Sequence, residues 1–225
     1  MIHVEQKPPP EGFDEHVRQP GRAWLEDEAH RRRARPRPFW NEWPPCREAL
    51  RTAFHHRCGY LAMSIPSGHV DHFESWAQCK HTERYHLAYE WTNYRWLLPE
   101  INQRKQREPS TNLLDPYEVR DEWFELVLPS LELRLTNRVP AEIRQRAAYT
   151  IKRLKLDRGA LAIEQRWAWV ERYMEGLSLE RLEQEAPLVG RALRMLMEAP
   201  RSRLREELAI FRQRILKRRD AVLRG

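Results

Sequence analysis

Gly68-His69-Val70-Asp71-His72-Phe73, then Tyr89-Glu90-Trp91-Thr92-Asn93-Tyr94, then Ile101-Asn102-Gln103-Arg104-Lys105 are the three pieces of one stretch that decides the fold. Taken in order, the polar residues that stand out are Asp71-His72, Asn93 and Asn102. An Asp-His dipeptide alone carries little, because such pairs arise by chance. The ordered set carries more, because an aromatic-rich segment and a basic Ile-Asn-Gln-Arg-Lys segment follow the Asp-His pair at short intervals. The plainer alternative is a surface loop with scattered polar side chains.

The order Asp-His, Asn, Asn resembles the HNH nuclease motif, in which Asn is common in the third place. The resemblance implies a small ββα-metal core: two short antiparallel strands and a helix gripping one divalent ion. Val70 to Phe73 would end the first strand, Asn93 would precede the second turn, and Asn102 would lie on the helix. Phosphodiester hydrolysis explains why these residue types would be needed. Water must lose a proton, and an imidazole near neutrality suits that task. A pentavalent phosphate and a departing alkoxide need charge neutralised, which a hard divalent ion on oxygen ligands supplies. On this resemblance His72 is the general base, Asp71 and Asn102 are metal ligands, and Asn93 braces the loop that aims His72. The ion would be Mg2+ or Mn2+. His69 shares a strand face with Asp71 and reads as a phosphate-contacting or structural histidine rather than a second base.

Immediately upstream, Cys46 to His56 reads as a helix started by Pro44-Pro45, with Leu50 and Phe54 at a helical interval. Many HNH proteins then carry two Cys-x-x-Cys pairs that hold a structural zinc. Here the corresponding positions are Cys58, Leu61, Leu98 and Ile101. One thiolate cannot hold a structural zinc, so none is expected, and Cys58 reads as a buried core thiol. Glu74 to His86, with Lys80, His81, Arg84 and His86, has little apolar pattern and reads as a loop beside the site. Arg104, Lys105 and Arg107 close the metal helix with positive charge, suited to its C-terminal dipole and to holding a DNA strand.

Residues 1–45 are rich in proline, arginine and tryptophan and read as an extended arm with a short helix, packed down by Phe39, Trp40 and Trp43. Its basic run Arg31-Arg32-Arg33-Ala34-Arg35 suits phosphate contact or a solvated tether. Residues 46–108 form the nuclease core in this reading, and 109–225 a hairpin followed by helices. Trp123 to Pro129 and Leu131 to Leu135 read as two strands around a Pro129-Ser130 turn. Helices are expected over Ala141 to Lys155, Arg158 to Met174, a stretch from Ser178 to Glu185, another from Pro187, and Arg201 to Leu223. The class is α+β.

The chain has 225 residues, a net charge of +7 and a pI near 9.6, which favours a polyanionic partner. No apolar run is long enough to span a bilayer, so no membrane association is expected. The first residues, Met1 to Lys7, have no apolar signal core. Three cysteines suit a reducing compartment. Together these point to the cytoplasm.

Tyr-Glu-Trp-x-Asn, Asn-x-x-Lys, Leu113-Leu114-Asp115-Pro116 and the later Ala148 to Asp157 segment also resemble an HNH family of bacterial anti-phage defence. It is similar to the HNH subunit of Septu-type and retron-associated systems, and to nucleases of the Zorya type. The resemblance implies a DNA-cutting or nicking effector beside an ATPase or sensor protein. A nuclease toxic to its host must be restrained, so a partner or a homo-oligomer through the C-terminal helices is expected. The competing readings are a nucleic-acid-binding module with an idle HNH scaffold and a subunit whose basic tail docks on an acidic partner.

Overall fold

The computed structural model describes residues 1–224. They form two compact units, one of residues 3–60 and 65–119, the other of residues 1–2, 61–64 and 120–224. The class is α+β, with two small antiparallel sheets of two strands each.

The first unit begins with a π-helical turn, Asp14–Arg18, that runs into α1 (Gln19–Trp24). After a break come α2 (Glu28–Arg31), α3 (Phe39–Glu42) and α4 (Pro44–Ala53). Asp27 caps α2 by accepting from Ala29 N at 2.8 Å, and Pro44-Pro45 open α4, where missing N–H groups cost nothing. The N-terminal residues are therefore not an extended arm set apart from a core. Phe13 and Val17 are buried, and a Cβ on Gly21 would lie 2.1 Å from Tyr89 Cγ, so α1 touches the Tyr89 ring through a bare backbone. The burial of Phe13, edge-on to Trp91 and Tyr94, is what binds the segment to the rest of the unit.

β1 (His69–His72) pairs antiparallel with a strand from which residues 73–93 separate it. Between them the expected loop is partly helical. α5 (Trp76–His81) starts on Ser75, whose hydroxyl accepts from Gln78 N at 3.3 Å, and it buries Trp76 and Cys79. Two buried residues three apart suffice to seat so short a helix, and too few apolar residues are present to reveal it by periodicity. Two 3-10 turns, Tyr85–Tyr89 and Trp91–Asn93, lead into β2 (Tyr94–Leu97). The register sets His69 opposite Leu97, Val70 opposite Trp96, Asp71 opposite Arg95 and His72 opposite Tyr94. α6 (Pro99–Lys105) follows at once, opened by Pro99, and ends on Gln106 at φ 49°, ψ −123°. It packs against β1. Cys58 is buried and its sulfur accepts from Leu98 N at 3.4 Å.

In the second unit β3 (Phe124–Val127) pairs antiparallel with β4 (Glu132–Leu135), placing Phe124 opposite Leu135 and Leu126 opposite Leu133. The helices are α7 (Ala141–Arg153), α8 (Ala160–Met174), α9 (Leu179–Glu185), α10 (Pro187–Glu198) and α11 (Glu206–Arg224). Ser178 caps α9, accepting from Arg181 N at 3.1 Å. Gly190 lets α10 approach the Glu183 backbone, 2.8 Å from where a Cβ would sit. Arg166 is buried on α8 and donates to Leu131 O and Asp157 O at 2.8 and 3.2 Å and to Leu156 O at 2.5 Å. Burial lowers its guanidinium to about 10, so it stays charged at neutral pH. The expected final helix begins later than Arg201, with a 3-10 turn at Arg201–Arg203 before α11. The unit boundary at Val119–Arg120 also lies further on than residue 109.

Candidate active site

β1 alternates its side chains, so His69 and Asp71 share one face and Val70 and His72 the other. Asp71 is 5% exposed and His69 is exposed. The His72 ring stands edge-on to Trp40 at 4.5 Å and to Tyr94 at 5.2 Å between centroids. Its Nε2 is 2.9 Å from Ala88 O. A carbonyl only accepts, so Nε2 carries the proton and Nδ1 keeps the lone pair. Burial pushes the imidazole down to about 4, the Lys105 ammonium adds to this, and the Ala88 bond opposes it. The ring is neutral at pH 7, but about 4 lies well below the near-neutral value expected of a general base.

Asn93 fastens both ends of the long connection between the strands. Its Oδ1 accepts from Glu74 N at 2.7 Å, and its Nδ2 donates to Glu74 O at 3.1 Å and Leu87 O at 2.9 Å. Phe73 N also donates to Asn93 O at 2.8 Å. The carbonyl that holds His72, Ala88 O, lies within this connection and also accepts from Tyr94 Oη at 2.9 Å.

Lys105 departs from its expected role. It has no exposed surface and cannot lie on a DNA strand. Its Nζ lies 3.3 Å from Asp71 Oδ1, 3.1 Å from Oδ2 and 2.6 Å from His72 O. Only Oδ1 is aligned for a hydrogen bond; Oδ2 has an ionic neighbour but no hydrogen bond. Burial raises the Asp71 carboxyl above the ordinary range, and the ammonium beside it pulls the other way. The reason lies in α6: Ile101 and Lys105 are four residues apart and form its buried stripe. Arg107 is exposed and Arg104 half-buried. Asn102 is half-buried, three residues before Lys105, on the neighbouring line of the same helix face.

Two further residues, Arg95 and Asp115, join the site without standing out in the sequence. Arg95, opposite Asp71 in register, is buried and binds Asp115 through Nε at 2.6 Å and through Nη2. Its Nη1 donates to Thr92 O and Tyr94 O at 2.8 and 2.7 Å. Asp115, in the Leu113-Leu114-Asp115-Pro116 segment, thus supplies a buried counter-ion to Arg95. The signal was there in the acidic residue within Leu-Leu-Asp-Pro, an unusual place for an unpaired charge.

The expected oxygen donors are the Asp71 carboxylate on β1 and the Asn102 amide on α6, the helix that packs against β1. They are hard oxygen ligands suited to Mg2+ or Mn2+ rather than a thiophilic ion. Asp71 Oδ2 accepts no hydrogen bond, but it is buried and the Lys105 ammonium stands 3.1 Å away, on the side of the carboxylate that an ion would need. Among the described residues no group of three His, Cys, Asp or Glu side chains is gathered as a ligand cluster. No protein-family model and no curated protein sequence matches this chain.

Proposed function

We propose that the segment from Gly68 to Lys105 is an HNH-type ββα-metal site and that the protein is a metal-dependent endonuclease acting on DNA. The observation that carries this reading is the strand–connection–strand–helix unit with Asp71-His72 ending its first strand and Asn93 clamping its connection. In it His72 takes a proton at Nδ1 from water, and Ala88 O and the Trp40 and Tyr94 rings fix the imidazole plane. Asp71 and Asn102 would hold the divalent ion, which supplies Lewis-acid stabilisation of phosphate charge. His69 and Arg107 are exposed and Arg104 is half-buried, and in this reading they hold the phosphate backbone. The anti-phage role and the ATPase or sensor partner rest on the resemblance alone.

Cleavage of supercoiled plasmid with Mg2+ or Mn2+ tests the reading. Nicked or linear product is expected from the wild type and not from His72→Ala. Equal product from both would overturn it. The second reading is an idle scaffold that binds DNA or a partner without cutting. The Lys105 ammonium on Asp71 favours it, because a carboxylate already neutralised has less to offer a metal. It predicts salt-dependent binding with no cleavage under any condition.

A further inference from the structure

Lys105 is a charged side chain with no exposed surface, and its ion-pair partner is the carboxylate that a metal would need. We propose that Lys105 is a built-in counter-cation closing the Asp71 position, and that a divalent ion takes Asp71 only when the last turn of α6 withdraws the ammonium. The inference rests on the reading of Asp71 as a metal ligand.

Three observations carry it. The ammonium lies within 3.3 Å of both carboxylate oxygens, and a second cation at the same carboxylate would meet strong repulsion at low dielectric. The pair is sealed, with Asp71 5% and Lys105 0% exposed, so neither ion nor phosphate reaches the carboxylate without movement. The backbone directly after Lys105 is strained. Gln106 is held at φ 49°, ψ −123°, a conformation that residues with a Cβ rarely adopt. Opening this turn relieves that strain. It also leaves the first turn of α6 anchored by Ile101, which is fully buried. The closed form is then a resting state, and occupation of Asp71 by Mg2+ or Mn2+ is linked to the position of α6's last turn.

The test is Mn2+ binding to the full chain, followed by electron paramagnetic resonance. Lys105→Met keeps much of the side-chain bulk and removes the charge. Its apparent affinity for Mn2+ should rise by about tenfold or more, because the competent form is no longer a minor one. The rise should vanish in the Lys105→Met, Asp71→Asn double variant. Gln106→Gly leaves every side chain of the site in place but relaxes the closed turn, so its Mn2+ affinity should fall below that of the wild type. If Lys105→Met does not fold by circular dichroism, Gln106→Gly decides, and unchanged or tighter binding in it overturns the proposal. Equal, Asp71-dependent binding by wild type and Lys105→Met would sink the counter-cation and leave the nuclease reading standing. Absence of Asp71-dependent binding in every variant would sink both.

Discussion

His72 is kept neutral by its surroundings, and that has a measurable cost at low pH. Its imidazole titrates near 4 in the folded chain and near 6.5 when unfolded. Between those values the unfolded state binds more protons, so folding stability falls as pH falls. The His72 share of that loss should reach roughly 3 kcal/mol by pH 4. Chemical denaturation of wild type and His72→Gln at pH 7 and pH 4.5 checks it: the wild type should lose more stability than the variant. Equal losses would mean that the ring is solvated. At this scale the sequence is legible where chemistry is rare. Asp71, His72, Asn93 and Asn102 stand out because few residue types perform proton transfer, oxygen ligation or loop bracing. Lys105 is hidden because Arg104, Lys105 and Arg107 look like one basic run. Only the spacing from Ile101 marks the middle residue as inward-facing.

The elements divide by how much local signal each contains. β3 and β4 are written plainly, since Leu131-Glu132-Leu133-Arg134-Leu135 alternates and turn residues precede it. The helices of the second unit show their 3.6-residue stripes and, in α9 and α10, their opening residues. α5 carries no such stripe and its cap, Ser75, is one serine among several. The helical path of residues 14–24 depends on the contact between Gly21 and Tyr89, which no local pattern encodes. That contact gives an element-level prediction. Gly21→Ala improves helix propensity yet forces a methyl into the buried Tyr89 ring, and overpacking of this kind costs about 1–3 kcal/mol. Thermal unfolding should show a lowered midpoint. A raised midpoint, the result for a free-standing helix, would mean that α1 does not dock on Tyr89.

Charge acts at the scale of the whole molecule. The net charge is +7, and the exposed Arg32, Arg33 and Arg35 belong to the same unit as the candidate site. Arg33 is held by its backbone, whose carbonyl accepts from Trp76 Nε1 at 2.9 Å and Lys80 Nζ at 3.2 Å. DNA binding, which the proposed activity requires, should weaken log-linearly with salt. Replacing these three arginines by alanine should reduce the slope by about 0.9 for each phosphate that is no longer neutralised. An unchanged slope would assign the run to a solvated surface. Among the described residues no helix is long and apolar enough to cross a membrane. Division into arm, core and tail follows composition along the chain, whereas packing follows contacts distant in sequence, so the two units cut across that division.

The short segment Leu61–Ser64 belongs to the second unit although the chain on either side of it belongs to the first. Ser64 N donates to Glu185 O at 2.7 Å, and the Ser64 hydroxyl also reaches the Glu185 carboxylate. A truncation after Val119 therefore keeps every residue of the first unit but removes the Glu185 partner of Ser64. On the ribosome Ser64 waits for Glu185, 121 positions later, to be synthesised. Synthesis order thus leaves Ser64, a few residues before Gly68, without its Glu185 partner until most of the chain has emerged.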